Sequence, residues 1–137
     1  MKSNHLFILP LFFALTLTLI GCSYGSESAH YEDTLEPAQL RHVVLFSFTE
    51  SSTPDDIRQI EEAFAALPSQ IDVIQDFEWG INNSPEGLDK GFTHCFIVTF
   101  QSEEGRDIYL PHPAHQEFVE LLSPHLDDVL VVDYWVR

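Results

Sequence analysis

Apolar and polar positions change rhythm twice along this chain. Residues 6–20, "LFILPLFFALTLTLI", form one apolar run, and residues 23–40, "SYGSESAHYEDTLEPAQL", are polar, acidic and without a sustained period. Regular periods begin at Arg41. "RHVVLFSF" (41–48) is β-branched and aromatic and predicts a strand. In "TPDDIRQIEEAFAALP", Thr53 suits an N-cap and Pro54 the first helical position, with acidic residues in the first turn. Ile57, Ile60, Phe64 and Leu67 then recur at helical spacing until Pro68 stops the element. "IDVIQDFEWGI" (71–81) alternates like a strand, "NNSPEGLDKG" reads as a loop, and "FTHCFIVTF" (92–100) predicts another strand. "SEEGRDIYL" predicts a short helical turn, "PAHQEFVELLSPHL" a helix starting near Pro113, and "DDVLVVDYWV" (127–136) a last strand. The order β-α-β-β-α-β predicts an α+β, ferredoxin-like fold.

Parity along the strands adds a partner to this picture. In 41–48, one face carries His42, Val44, Phe46 and Phe48, and the other carries Val43, Leu45 and Ser47. In 92–100, Phe92, His94, Phe96, Val98 and Phe100 share one face, with Cys95 and Ile97 on the other. Both faces are therefore largely apolar, whereas helices in this topology cover only one. A bare apolar face of several hundred Å² exceeds what a soluble monomer usually tolerates. A homodimer with facing sheets, a dimeric α/β barrel, is the expected solution.

The first forty residues change the setting. One lysine precedes the run at 6–20, which has the length of a signal-peptide core. The run ends in Leu19-Ile20-Gly21-Cys22, which resembles the lipobox of bacterial lipoproteins, so Cys22 is the expected lipidation site. Residues 1–21 are then a signal peptide, 22–40 a lipidated cysteine with a flexible tether, and 41–137 the folded domain. Ser23 after the cysteine favours the outer membrane, facing the periplasm. With Cys22 lipidated, Cys95 is the one thiol left, and it reads as a small buried hydrophobe. The formal charge is −16, and removing residues 1–21 takes away Lys2, leaving −17. Such acidity argues against nucleic acid and against an anionic membrane surface, so membrane contact is expected through the anchor alone.

Three stretches carry a resemblance. "RHVVLFSF", "FEWGINNSPEGLDKGFTHCFIVTF" and "YLPHPAHQEFVELLSPHLDDVLVVDY" resemble the stress-responsive dimeric A/B barrel (Dabb) family over about residues 41–134. The similarity extends to its olivetolic acid cyclase-type members. It implies that His42, His94, Tyr109, His115 and Asp133 match pocket positions, with Tyr109 and His115 implied in chemistry. Position 64 is Phe64 where those members line the pocket with tyrosine.

The residues themselves suggest how such a site works. His42, His94 and Asp133 share strand faces with Phe46, Phe96 and Val131; if those are the helix-facing sides, all three point into the layer between sheet and helices. His115 falls in the first turn of a helix, whose positive end disfavours imidazolium and keeps the ring neutral. Such a ring accepts a proton, Asp133 within reach would fix its tautomer, and Tyr109 would donate to a carbonyl oxygen gaining charge. His112, between two prolines, is a candidate pocket residue or a brace for the helix start. His42, His94, His112 and His115 also invite a metal reading, but Pro113 disrupts an i, i+3 pairing, so neither a metal nor another cofactor is expected. Three function classes follow: an enzyme of cyclase or lyase kind acting on a small apolar carbonyl compound, a non-catalytic binder of such a ligand, and a protective dimer.

Overall fold

Side-chain alternation and capping chemistry account for most of the architecture in the computed structural model, which describes residues 38–137. The apolar run, Cys22 and most of the expected tether lie outside the described residues. Among the described residues no helix is long and apolar enough to cross a membrane.

Strand β1 (Leu40–Phe48) begins one residue before the expected boundary. Helix α1 (Pro54–Ala66) starts at a capping box, in which the Thr53 hydroxyl accepts from the Asp56 N–H and the Asp56 carboxylate accepts from the Thr53 N–H. Pro68 ends it through a 3-10 turn at Leu67–Ser69. Strand β2 (Asp76–Ile81) is shorter than the alternation at 71–81 suggests. Ile71 and Ile74 both face the core, a spacing of three that suits the turn held by Ile74 N–H to Ile71 C=O. Strand β3 (His94–Phe100) is followed by α2 (Glu103–Tyr109), α3 (Pro113–Leu122) and β4 (Leu126–Trp135).

The four strands form one antiparallel sheet in the order β2-β3-β1-β4. This is the ferredoxin-like arrangement, with α2 as an addition before the second main helix. Leu40, Val44, Phe46, Phe96, Val98 and Phe100 are buried, as parity requires, against Ile60 and Phe64 of α1 and Phe118 and Leu122 of α3. His42 and His94 lie on this same helix-facing side. On the opposite side Val43, Leu45, Cys95 and Ile97 are only half-buried, and Leu130, Val132 and Tyr134 are 43–47% exposed. Cys95 is thus not a core residue: it lies on the helix-free face, where burial first and Glu78 second push its thiol up.

Edge strand β4 is the exception to the layered plan. Val129 and Val131 pair with Phe46 and Val44 and so lie on the helix side, yet they are 43% and 49% exposed. The helices stop short of β4, and a cavity opens there.

Candidate active site between the sheet edge and the second helix pair

The cavity has a volume of about 510 Å³ and lies between β1 and β4 on one side and α2 and α3 on the other. Its walls are mostly apolar, with Val44, Phe46, Phe118, Leu122, Val129 and Val131 among them. The polar lining consists of His42, Arg106, Asp107, Tyr109, His115 and Asp133.

The local sequence explains how α2 and α3 present these groups. Pro111 and Pro113 prevent one continuous helix. His112 takes the extended conformation between them and caps α3, its Nδ1 accepting the Ala114 N–H at 3.2 Å. Its backbone N–H in turn donates to the Tyr109 carbonyl at 3.0 Å. This turn lays the Tyr109 ring against the His115 ring, with centroids 4.3 Å apart. His115 Nδ1 lies 2.9 Å from the Leu110 carbonyl, which can only accept. The proton is therefore on Nδ1, and Nε2 carries the lone pair.

Tyr109 is fully buried at the end of α2, in ring contact with His42 at 5.9 Å, Phe100 at 5.2 Å and His115. Its hydroxyl is buried and, among the described residues, has no hydrogen-bond partner. A buried hydroxyl in that state carries an uncompensated desolvation penalty of about 1–3 kcal/mol. Burial also pushes the phenol pKa far up, so the group stays a neutral donor.

His42 and Asp133 face each other directly across the β1–β4 pairing. His42 Nδ1 meets Asp133 Oδ1 at 2.7 Å, and Arg106 Nη1 donates to Asp133 Oδ2 at 2.8 Å. Partial burial pushes the Asp133 carboxyl up, but the bonds from Arg106 and His42 outweigh it and leave the group below the ordinary carboxylate value. The sequence-based expectation that Asp133 fixes the His115 tautomer is corrected here: a backbone carbonyl does so, and Asp133 serves His42. The expected cause of a neutral His115 also changes. Burial is the main influence holding it below the usual 6.5, opposed by the Leu110 carbonyl and aided by His42 and His112.

Three expected pocket residues lie elsewhere. Phe64 is one layer behind the cavity wall, packed between Phe96 at 4.5 Å and Phe118 at 4.4 Å, because its helix position faces the central strands rather than β4. His94 is buried at the far end of the sheet, its Nε2 3.0 Å from Glu61 and its Nδ1 2.8 Å from the Thr93 hydroxyl. His112 holds the helix start and does not line the cavity. No group of three His, Cys, Asp or Glu among the described residues converges to hold a metal ion.

Sequence reasoning missed two polar lining residues, Asp107 and Arg106. For Arg106, its position three residues before Tyr109, on one face of the same helix, was the available signal.

The depressed His115 pKa has a consequence for stability. The fold favours the neutral ring, so this contribution is complete above the ordinary value of 6.5 and is lost as pH falls through the lower folded value. Thermal melts between about pH 7.5 and 5 are expected to fall more steeply for the unaltered chain than for His115→Gln. Equal slopes would contradict the burial of a neutral ring. Asp133 contributes in a separate window, below its ordinary 3.8.

Comparison with known proteins agrees with this architecture. The profile of the family described as "Stress responsive A/B Barrel Domain" matches residues 40–136. The stress-response A/B barrel domain-containing protein HS1 of Arabidopsis thaliana is 40% identical over 95 residues, covering 69% of this chain and 87% of that protein. Olivetolic acid cyclase of Cannabis sativa is 26% identical over 98 residues, covering 72% of this chain and 97% of that protein. A dimeric ferredoxin-like protein of unknown function from Thermobifida fusca superposes with a TM-score of 0.63 at 25% identity, covering 74% of this chain and 93% of the other.

Proposed function

The chain belongs to the stress-responsive A/B barrel domain family, and on that basis we propose that its cavity takes a small apolar carbonyl compound and promotes enolisation, the first step of cyclase- or lyase-like chemistry. The supporting observation is the Tyr109 hydroxyl, buried and unpartnered beside a neutral imidazole. A ligand carbonyl oxygen supplies the missing acceptor once a wall side chain shifts to admit it, since the hydroxyl is sealed from solvent in this geometry. The Tyr109 O–H donates to that oxygen while an imidazole Nε2 removes a proton from the adjacent carbon. The C–H electron pair becomes the enolate π-bond, the carbonyl oxygen takes the negative charge, and the imidazole holds the proton until it is returned. The Cannabis relative's name assigns that protein a cyclisation, which at 26% identity supports the class of reaction rather than a product.

In this reading the protein acts as a homodimer, a second copy covering the helix-free face, by analogy with the dimeric Thermobifida protein. Residues 6–22 motivate a further part of the proposal, attachment of the mature chain through a lipid on Cys22 to a bacterial envelope, most simply the outer membrane facing the periplasm.

The test is α-proton exchange. An alkyl aryl ketone incubated with the protein in deuterium oxide is expected to bind and to lose its α-proton NMR signal faster than in buffer. Binding without exchange would support the second reading, a ligand carrier, which the mainly apolar walls also favour. Absence of binding across a panel of such ketones would overturn both.

A further inference from the structure

We propose that Arg106 is a positioning residue that keeps the His42 ring neutral by neutralising the far oxygen of Asp133. The geometry joins three elements. Asp133 on β4 offers one oxygen to His42 on β1 and the other to Arg106 on α2, at 2.7 and 2.8 Å. Those side chains are 27%, 9% and 23% exposed, so the chain of contacts runs from the solvent-facing edge of the cavity inward to a buried His42. The protein has 6 basic residues in 137, and placing one at a cavity wall is notable in so acidic a chain.

A carboxylate against an imidazole favours the doubly protonated ring when nothing else balances it. A guanidinium on the second oxygen offsets that preference, because arginine stays cationic at every relevant pH. The pair then orients the ring without charging it. The Nδ1 proton points to Asp133, and Nε2 is left as an acceptor. The other titratable groups at this place are His115 on α3 and Tyr109 on α2, both lining the same cavity, and Asp107, which lies 3.5 Å from the outer side of Arg106. Strand β3 adds none, since Val98 is the His42 neighbour there.

The consequence is a pair of unequal imidazoles on either side of Tyr109. His115 is held by a neutral carbonyl, whereas His42 is held by a carboxylate whose charge is balanced from outside. Arg106 sets that balance through Asp133. Its importance for turnover rests on the enolisation reading, but its effect on the His42 charge does not.

The experiment is nitrogen-15 NMR of the histidine rings in the full chain at pH 7. The unaltered protein is expected to show His42 as a neutral ring with its proton on Nδ1. In Arg106→Met the doubly protonated fraction of His42 is expected to rise at least threefold, with Arg106→Lys close to the unaltered chain. Arg106→Gln provides the same test should the methionine variant fold poorly. A folded Met or Gln variant with an unchanged His42 spectrum and only a lower melting temperature would reduce Arg106 to a structural brace and overturn the proposal. α-Proton exchange gives the second arm. The acid limb of its pH profile is expected to move to higher pH in Arg106→Met. If the unaltered chain exchanges nothing, the enolisation reading fails while the ring spectra still decide the role of Arg106.

Discussion

Tyr109→Phe is expected to melt at a higher temperature than the unaltered protein and to lose most of its capacity for α-proton exchange. The two effects have one origin. The hydroxyl is buried with no partner among the described residues, so the folded state bears its desolvation while the unfolded chain hydrates it. Removing the oxygen relieves that penalty and leaves the ring contacts with His42, Phe100 and His115 in place. A gain of about 1 kcal/mol raises the melting temperature of a domain this size by about 4–8 °C. In the reaction the same hydroxyl is the donor that meets the developing oxyanion. Loss of one such donor costs about 100- to 1000-fold in rate. Calorimetry and deuterium exchange on one preparation check both. A lower melting temperature with unchanged exchange would make the tyrosine an ordinary core residue.

The second large effect concerns the helix-free face. Val132 is 47% exposed in the single chain, so a lysine there is nearly harmless to the isolated fold. Between two facing sheets, however, Val132→Lys would bury two unpaired charges. At about 2 kcal/mol or more for each copy, the dissociation constant rises roughly a thousandfold. Ile108→Lys is the control, since Ile108 is 54% exposed on α2 in the helical layer. Sedimentation at micromolar concentration is expected to show a dimer for the unaltered domain and for Ile108→Lys, and a monomer for Val132→Lys. A monomeric unaltered protein, or a Val132→Lys dimer, would remove the facing-sheet assembly.

Much of this site was legible in the chain because it depends on parity and capping, both local properties. Two-residue alternation put His42 on the face of Val44 and Phe46, and Asp133 on the face of Val129 and Val131. Antiparallel pairing then set the two opposite each other. Proline spacing likewise separated α2 from α3 and made His112 a cap. What was not legible depends on where helices end over the sheet. Phe64 and His94 have the correct facing, but α1 packs on the central strands while the cavity opens beside β4, so facing alone misplaced both. The partner of Asp133 was also out of reach of local patterns. His42 and His115 both face the same layer, and only strand register decides which one meets the carboxylate. Arg106 shows the same limit from the opposite direction, since a short helical turn named no inward face until Tyr109 was seen to be buried.

The central claim is that the Tyr109 hydroxyl completes its hydrogen bonding with a ligand carbonyl. Its most direct test is the carbon-13 shift of a carbonyl-labelled alkyl aryl ketone bound to the protein. A downfield displacement on binding that disappears in Tyr109→Phe, with the ketone still bound, is the predicted result. The same carbonyl shift in both proteins would contradict it.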